Sequence, residues 1–270
     1  MTHASGVGTA TFTSDQLRLH NRRIVAKKFV ATALAIILLF ALWHILALYN
    51  RPWVPSITDT VESMKRAVTS AQFYSDMVVT WQRLLAAFVV STLLGVCIGT
   101  LMGFNRSFDA FAAPLVAMAL AVPDPVYVIF ASLALGTGGV AGFIALVMAV
   151  VPFVINVVYA GIGARDRSLD EMAKIYHIPA SRNFRHSIIP QLVPSLLIAT
   201  RFAFALSWKV VILVEALTCP DGIGARIYNY FHVLRMRDAV ALAILFCVLM
   251  QLVEWLVFVP LERRLLRWRS

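Results

Sequence analysis

The chain has 270 residues, 60% of them apolar and only 14% charged, with a mean hydropathy of +0.79. Several apolar runs reach the roughly 20 residues that a helix needs to cross a bilayer, which excludes a soluble globular domain and indicates a polytopic membrane protein. The net charge of +10 does not indicate a nucleic-acid partner, because the basic residues flank the apolar runs instead of gathering on one polar face.

Residues 1–28 form a polar tail that ends in Arg22, Arg23, Lys27 and Lys28. The apolar run 29–49 that follows is too long for a signal-peptide core and has no small-x-small cleavage site after it, so it reads as a retained first helix. A single transmembrane domain is expected over 29–270. In the polar stretch 51–82, Ser56 and Asp59 make a start resembling a capping box. Val61, Met64, Ala67 and Val68 then share one face, which predicts an amphipathic helix on the outer surface. Further spans are expected at 84–104, 112–134, 140–161, 192–216 and 239–259, six in all. With the N-terminus in the cytoplasm, fifteen Lys and Arg fall inside and six outside. The positive-inside rule therefore places both termini of this multi-pass chain in the cytoplasm. Cys97, Cys219 and Cys247 are too scattered for a disulfide framework or a metal site.

Within the apolar runs, Gly95, Gly99 and Gly103 recur every four residues and make one row on a helix. That row predicts a tight crossing with another helix of the same chain in preference to a dimer seam. The stretches 122–127 ("VPDPVY") and 135–142 ("LGTGGVAG"), with Pro152 beyond them, interrupt helical continuity. The glycines read as an outer turn. Asp124, between two prolines, is a candidate for the translocation path, since an ionisable group near a span is costly. Arg201, Lys209 and Glu215 are further candidates: on a helical wheel Arg201 and Glu215 lie within about 40° and Lys209 about 80° from Arg201. One broad face could carry all three, either lining a path or, for Arg201 and Glu215 above all, forming structural ion pairs with another helix.

The loop at about 165–190 concentrates charge in this apolar chain. Ser168 and Glu171 form an S-x-x-E capping box, and Leu169, Met172, Ala173 and Tyr176 follow at helical spacing as an apolar ridge. Pro179 ends that helix, Ser181 caps a second, and Pro190 leads into the fifth span. The expected structure is a cytoplasmic helix-turn-helix whose ridge faces either the lipid headgroup layer or a groove on a partner protein.

These residues resemble the permease subunits of ATP-binding-cassette (ABC) importers, in particular the nitrate/sulfonate/taurine-type branch. That family carries a loop reading E-A-A, three residues, Gly, nine residues, I-x-L-P. Here the loop reads Glu171-Met172-Ala173, with His177 at the glycine position, Ser187 at the first Ile position, then Ile189-Pro190. Residues 80–88 ("TWQRLLAAF"), 207–217 ("SWKVVILVEAL") with Gly222-Ile223-Gly224, and 260–269 ("PLERRLLRWR") are similar to other segments of the branch, so about 50–270 is covered. The resemblance implies an all-α membrane protein of about six transmembrane helices with the type I ABC importer permease fold. It makes the loop a coupling helix that docks into a cytoplasmic ATPase through Ser168, Leu169, Glu171, Met172, Ala173, Tyr176, His177 and Pro190. The implied partners are ABC ATPase subunits, an external substrate-binding protein, a second permease copy forming a homodimer, and membrane lipid, with no nucleic acid. His177 is compatible with the turn that glycine makes in the family, because histidine is enriched among non-glycine residues with positive φ.

No phosphate-cradling G-x-x-x-x-G-K-[ST] is present, so no cofactor is expected in this chain, and ATP and magnesium are expected on the partner ATPase. An enzyme is not expected, since the histidines lack metal-ligand spacing. The expected function is a permease for a nitrate-, sulfonate- or taurine-like anion. The alternative is an ATPase-independent secondary transporter or channel, distinguished by transport that persists without ATP.

Overall fold

The computed structural model describes residues 14–50 and 53–265, so the first 13 residues of the tail, Arg51, and the C-terminal Arg267 and Arg269 lie outside it. Contacts divide the chain into two units, residues 1–57 and 58–270. The first is built on α1 (Ser14–Tyr49), which extends well into the expected polar tail. Its apolar segment Phe29–Tyr49 is long enough to span. Within it, the Trp43 indole donates to the carbonyl of Pro55 in the connection that follows, at 3.1 Å.

The second unit begins in α2 (Ile57–Thr69). The expected outer-surface helix is present, but the face carrying Val61 and Val68 is exposed, and Thr60 and Ser63 are the residues turned inward. The hydroxyl of Ser63 has a partner in Arg66 at 2.8 Å, so the polar face is buried with its hydrogen bonds made, which is the condition for burying it.

Four long helices follow: α3 (Ala71–Phe104), α6 (Gly139–Gly163), α9 (Ile189–Thr218) and α11 (Met236–Leu265). Helix α3 starts about a dozen residues before the expected boundary, because its first turns are amphipathic and bury Phe73, Asp76, Met77 and Thr80. The expected third span, 112–134, is instead two helices, α4 (Arg106–Ala121) and α5 (Asp124–Leu135), bent by 99°. Val122 and Pro123 make the corner with extended backbone, as the residue before a proline is steered away from the helical region. Pro152 does not break α6, which runs through it with the proline buried. A transmembrane helix tolerates the lost donor when neighbouring helices enclose it. The glycines after α5 do form a turn, with Gly136 at φ 80° and Gly138 at φ 146°.

Helix α6 is central, packed on α3, α9 and α5. The glycine row of α3 lies against it: a Cβ on Gly95 would stand 2.5 Å from Val154, on Gly99 2.9 Å from the Ile155 carbonyl, and on Gly103 2.6 Å from Ile162. The matched order along both helices makes them parallel. Within a bilayer there is no solvent to squeeze out between helices, so such close approach supplies the packing attraction. Helix α9 runs the opposite way, with Ser195 beside Gly161 and Thr218 beside Gly142. Helix α11 reverses again, since Phe258 packs on Phe204 and Phe246 on Trp208. One end of the bundle therefore carries α10 (Ile223–His232) and the other carries α7 (Arg167–Ile175).

Candidate functional site

Helix α7 is short and strongly two-sided. Its N-cap is Asp166, whose carboxylate accepts from the Ser168 N–H at 2.9 Å, so the expected Ser168–Glu171 capping box is not formed. Asp166 stands two residues earlier and takes the cap, leaving Ser168 inside the first turn. Hydrogen bonding by Ser168 holds the exposed Asp166 carboxyl below the usual carboxylate range. At the other end His177 adopts φ 52°, and its N–H reaches the Lys174 carbonyl while the Ile178 N–H reaches Ala173. This pair of bonds is a Schellman termination, which a left-handed histidine carries in place of glycine. The His177 ring Nδ1 also lies 3.0 Å from the Lys174 carbonyl.

Met172, Ile175 and Tyr176 are 51%, 74% and 72% exposed. With Leu169 and Ile178 they present an apolar surface. Ala173, expected on this ridge, is instead buried against its own chain at 6% exposure, while Glu171 is exposed. The expected second helix of the loop is not separate. After Pro179, residues Ala180–Asn183 (α8) pass through a π-helical turn, Phe184–Ile188, directly into α9. Ser181 lies inside α8 and does not cap it. Pro190 has no N–H for the carbonyl four residues back and its ring crowds that group. The wider turn, with Ile189 N–H reaching the Phe184 carbonyl, relieves the clash.

At the α10 end, three stretches distant in sequence meet around one carboxylate. Glu215 is 0% exposed. It accepts from the Thr80 hydroxyl at 2.8 Å, from Arg83 at 2.9 Å and from the Gly224 N–H at 3.0 Å. Arg83 also donates to the Asp221 carbonyl at 2.9 Å and pairs with the Asp221 carboxylate. Thr80 in turn accepts from the Ile223 N–H at 2.9 Å. Glycine is required at 222, where φ is 102° and a Cβ would fall 2.4 Å from the Glu215 carboxylate. One helical turn further out, the buried Asp76 pairs with Arg226 of α10. The cluster thus fastens the α9–α10 connection to α3. Arg83, Asp76, Asp221 and Arg226 escaped the sequence reading, although an arginine in the first turns of a span signals a partner.

The other ionisable candidates meet different neighbours. Arg201 bridges Glu254 and Glu262 of α11, each at 3.2 Å, beside an apolar cavity of about 410 Å³ bounded by Ile198, Phe202 and Phe258. Glu254 lies in an apolar run where no acid partner was sought. Lys209 is exposed, with its ammonium 5.6 Å from the neighbouring Trp208 ring. Asp124 is half-buried in the first turn of α5, at the bend. Glu215 is enclosed by protein. These four positions are separate, not one lining.

The fold and the two ends together define a multi-pass helical membrane protein that carries, at one end of a bundle, a short capped helix with an exposed apolar surface. Its architecture is shared with solved transporters. An amino acid ABC transporter crystallised with histidines matches with a TM-score of 0.61 at 20% identity, over 72% of this chain and 94% of that one. An inward-facing MetNI methionine ABC transporter matches with 0.59 at 17% identity, over 73% and 99%. The chain belongs to the family of binding-protein-dependent transport system inner membrane components, whose profile matches residues 91–265, and it has the fold of type I ABC importer permeases. Among its relatives is a Bacillus subtilis protein named as an aliphatic sulfonates transport permease, SsuC, 24% identical over 86% of this chain and 85% of that one. The SsuC of Escherichia coli strain K12 is 35% identical over 43% and 44%. A bicarbonate transport system permease protein, CmpB, of Synechococcus elongatus is 24% identical over 56% and 54%.

Proposed function

We propose that this permease moves a small anion through the inner membrane by alternating access, driven by a separate ATPase that grips α7. The observation that carries the coupling reading is the exposed Met172–Ile175–Tyr176 surface on a helix capped at both ends and held outside the spans. A rigid amphipathic helix of this kind fits a partner's hydrophobic groove. The orientation follows: the α7 end and both chain termini lie in the cytoplasm, and the α10 end faces the external substrate-binding protein. ATP and magnesium belong to the ATPase, and this chain contributes the path, not the chemistry. A second copy of the permease completes the assembly, with lipid around it. The anion assignment rests on relatives named for sulfonates and for bicarbonate, both anionic.

The test is to purify the tagged chain from native membranes and to measure solute uptake in liposomes with and without ATP. An ATPase is expected to co-purify. Replacing Met172, Ile175 and Tyr176 together by serine is expected to release it and to abolish ATP-driven uptake at unchanged membrane abundance. Uptake that proceeds without ATP, or survives the triple replacement, would favour a channel or secondary transporter instead.

A further inference from the structure

The covalent route from α7 to the spanning helix α9 is an indirect one. A push on α7 would travel through the left-handed turn at His177, Pro179, the four residues of α8 and the π-helical turn. π-Helical turns are rare single-turn widenings inside α-helices, found frequently at functional sites. A second connection bypasses all of it. The Gln191 side-chain carbonyl accepts from the backbone N–H of Asp166 at 2.9 Å, while its amide nitrogen donates to the Ser187 carbonyl and hydroxyl at 3.2 and 3.3 Å.

The identity of the group that Gln191 satisfies is informative. Asp166 is the N-cap of α7, and in a capping box its N–H is satisfied by a Glu or Gln three residues on. Here that position is Leu169, which has no acceptor. The reciprocal half of the box is supplied by α9. A second tie runs beside it: Asp170 of α7 accepts from Asn183 at 3.2 Å and pairs with Arg165 at 3.5 Å. The Arg165 guanidinium rests 4.7 Å over the Phe104 ring at the end of α3.

We infer that Gln191 is a positioning residue for coupling: it transmits displacement of α7 straight to α9, past the π-helical turn. This rests on the reading of α7 as the ATPase-docking helix. Gln191 is not on the docking surface. Its loss therefore leaves the ATPase bound and hydrolysing while the spanning helix no longer follows.

The experiment uses the complete transporter, reconstituted with its ATPase and binding protein, and reads solute imported per ATP hydrolysed alongside ATPase co-purification. For Gln191→Leu the ratio is expected to fall about three- to tenfold, the range set by one lost hydrogen bond, with the ATPase still bound. Gln191→Ala is expected to give the same change. Gln191→Glu keeps an acceptor for the Asp166 N–H and is expected to hold the ratio near that of the unsubstituted protein. An unchanged ratio in the leucine and alanine variants overturns the inference. So does loss of the ATPase from these variants alone, which would make Gln191 a docking determinant and leave the reading of α7 standing. Failure of the unsubstituted chain to bind an ATPase removes that reading, and this inference with it.

Discussion

Glu215 and Arg83 show what a buried charge demands of its neighbours. The carboxylate is fully enclosed and has three donors, and the guanidinium spans it and Asp221. Removing one member strands the other: Arg83→Leu is expected to lower stability by about 3–5 kcal/mol, because an uncompensated buried charge remains. The double replacement Arg83→Leu with Glu215→Leu is expected to be less damaging than the single one. Thermal unfolding of the detergent-purified variants checks both, and additive losses would count against coupling between the two. Glu215 was legible as an unusual residue in an apolar run, but its partner was not. A helical wheel places Arg201 and Glu215 within about 40°, yet fourteen residues at 1.5 Å rise separate them by about 21 Å along the axis. Each therefore finds a different neighbour, α11 for Arg201 and α3 for Glu215.

At the scale of elements, α7 is defined by its ends more than by its nine residues. The Asp166 cap and the His177 turn satisfy backbone groups that so short a helix cannot satisfy internally. Glycine at 177 adopts positive φ without a Cβ penalty, whereas a β-branched residue there is strained. His177→Gly is expected to keep ATP-driven uptake, and His177→Val to reduce it several-fold at equal membrane abundance. Equal uptake in the two variants would show that the turn geometry does not matter. The His177 turn could be anticipated from residue type alone, because positive φ is a local property. The inward face of α2, the cap of α7 and the merging of the second loop helix into α9 could not. Asp166 displaced Ser168 as the cap of α7, and Arg66, one turn on in α2, supplies the hydrogen bond of the buried Ser63.

For the whole molecule, Lys209 is the position that the single chain leaves unresolved. It stands nine residues before the end of α9, about 13 Å along the axis, and points away from the fold. An ammonium at that depth is costly against lipid tails, and under the proposed function it faces a water-filled path. On that proposal Lys209 is a cation that the anionic solute meets, whereas Arg201 is paired with two carboxylates. Lys209→Glu is expected to cut anion uptake at least several-fold and Lys209→Arg to preserve most of it, measured at matched protein levels in liposomes. Equal uptake in both would remove Lys209 from the path.

Composition and periodicity by themselves determined that this is a multi-pass helical protein, roughly where its spans lie, and that residues 165–190 form an exposed amphipathic loop. These follow from the bilayer's demand for long apolar helices with every backbone group satisfied internally, a demand written residue by residue. Only the tertiary structure decided that "TWQR", "LVEAL" and "GIG" close on one buried carboxylate, that the 112–134 run bends by 99°, and that Gln191 completes the cap of α7. The carboxylate cluster and the cap depend on which helices lie side by side, for the cluster more than a hundred residues apart in sequence, while "VPDPVY" marked the break in the 112–134 run without setting its angle.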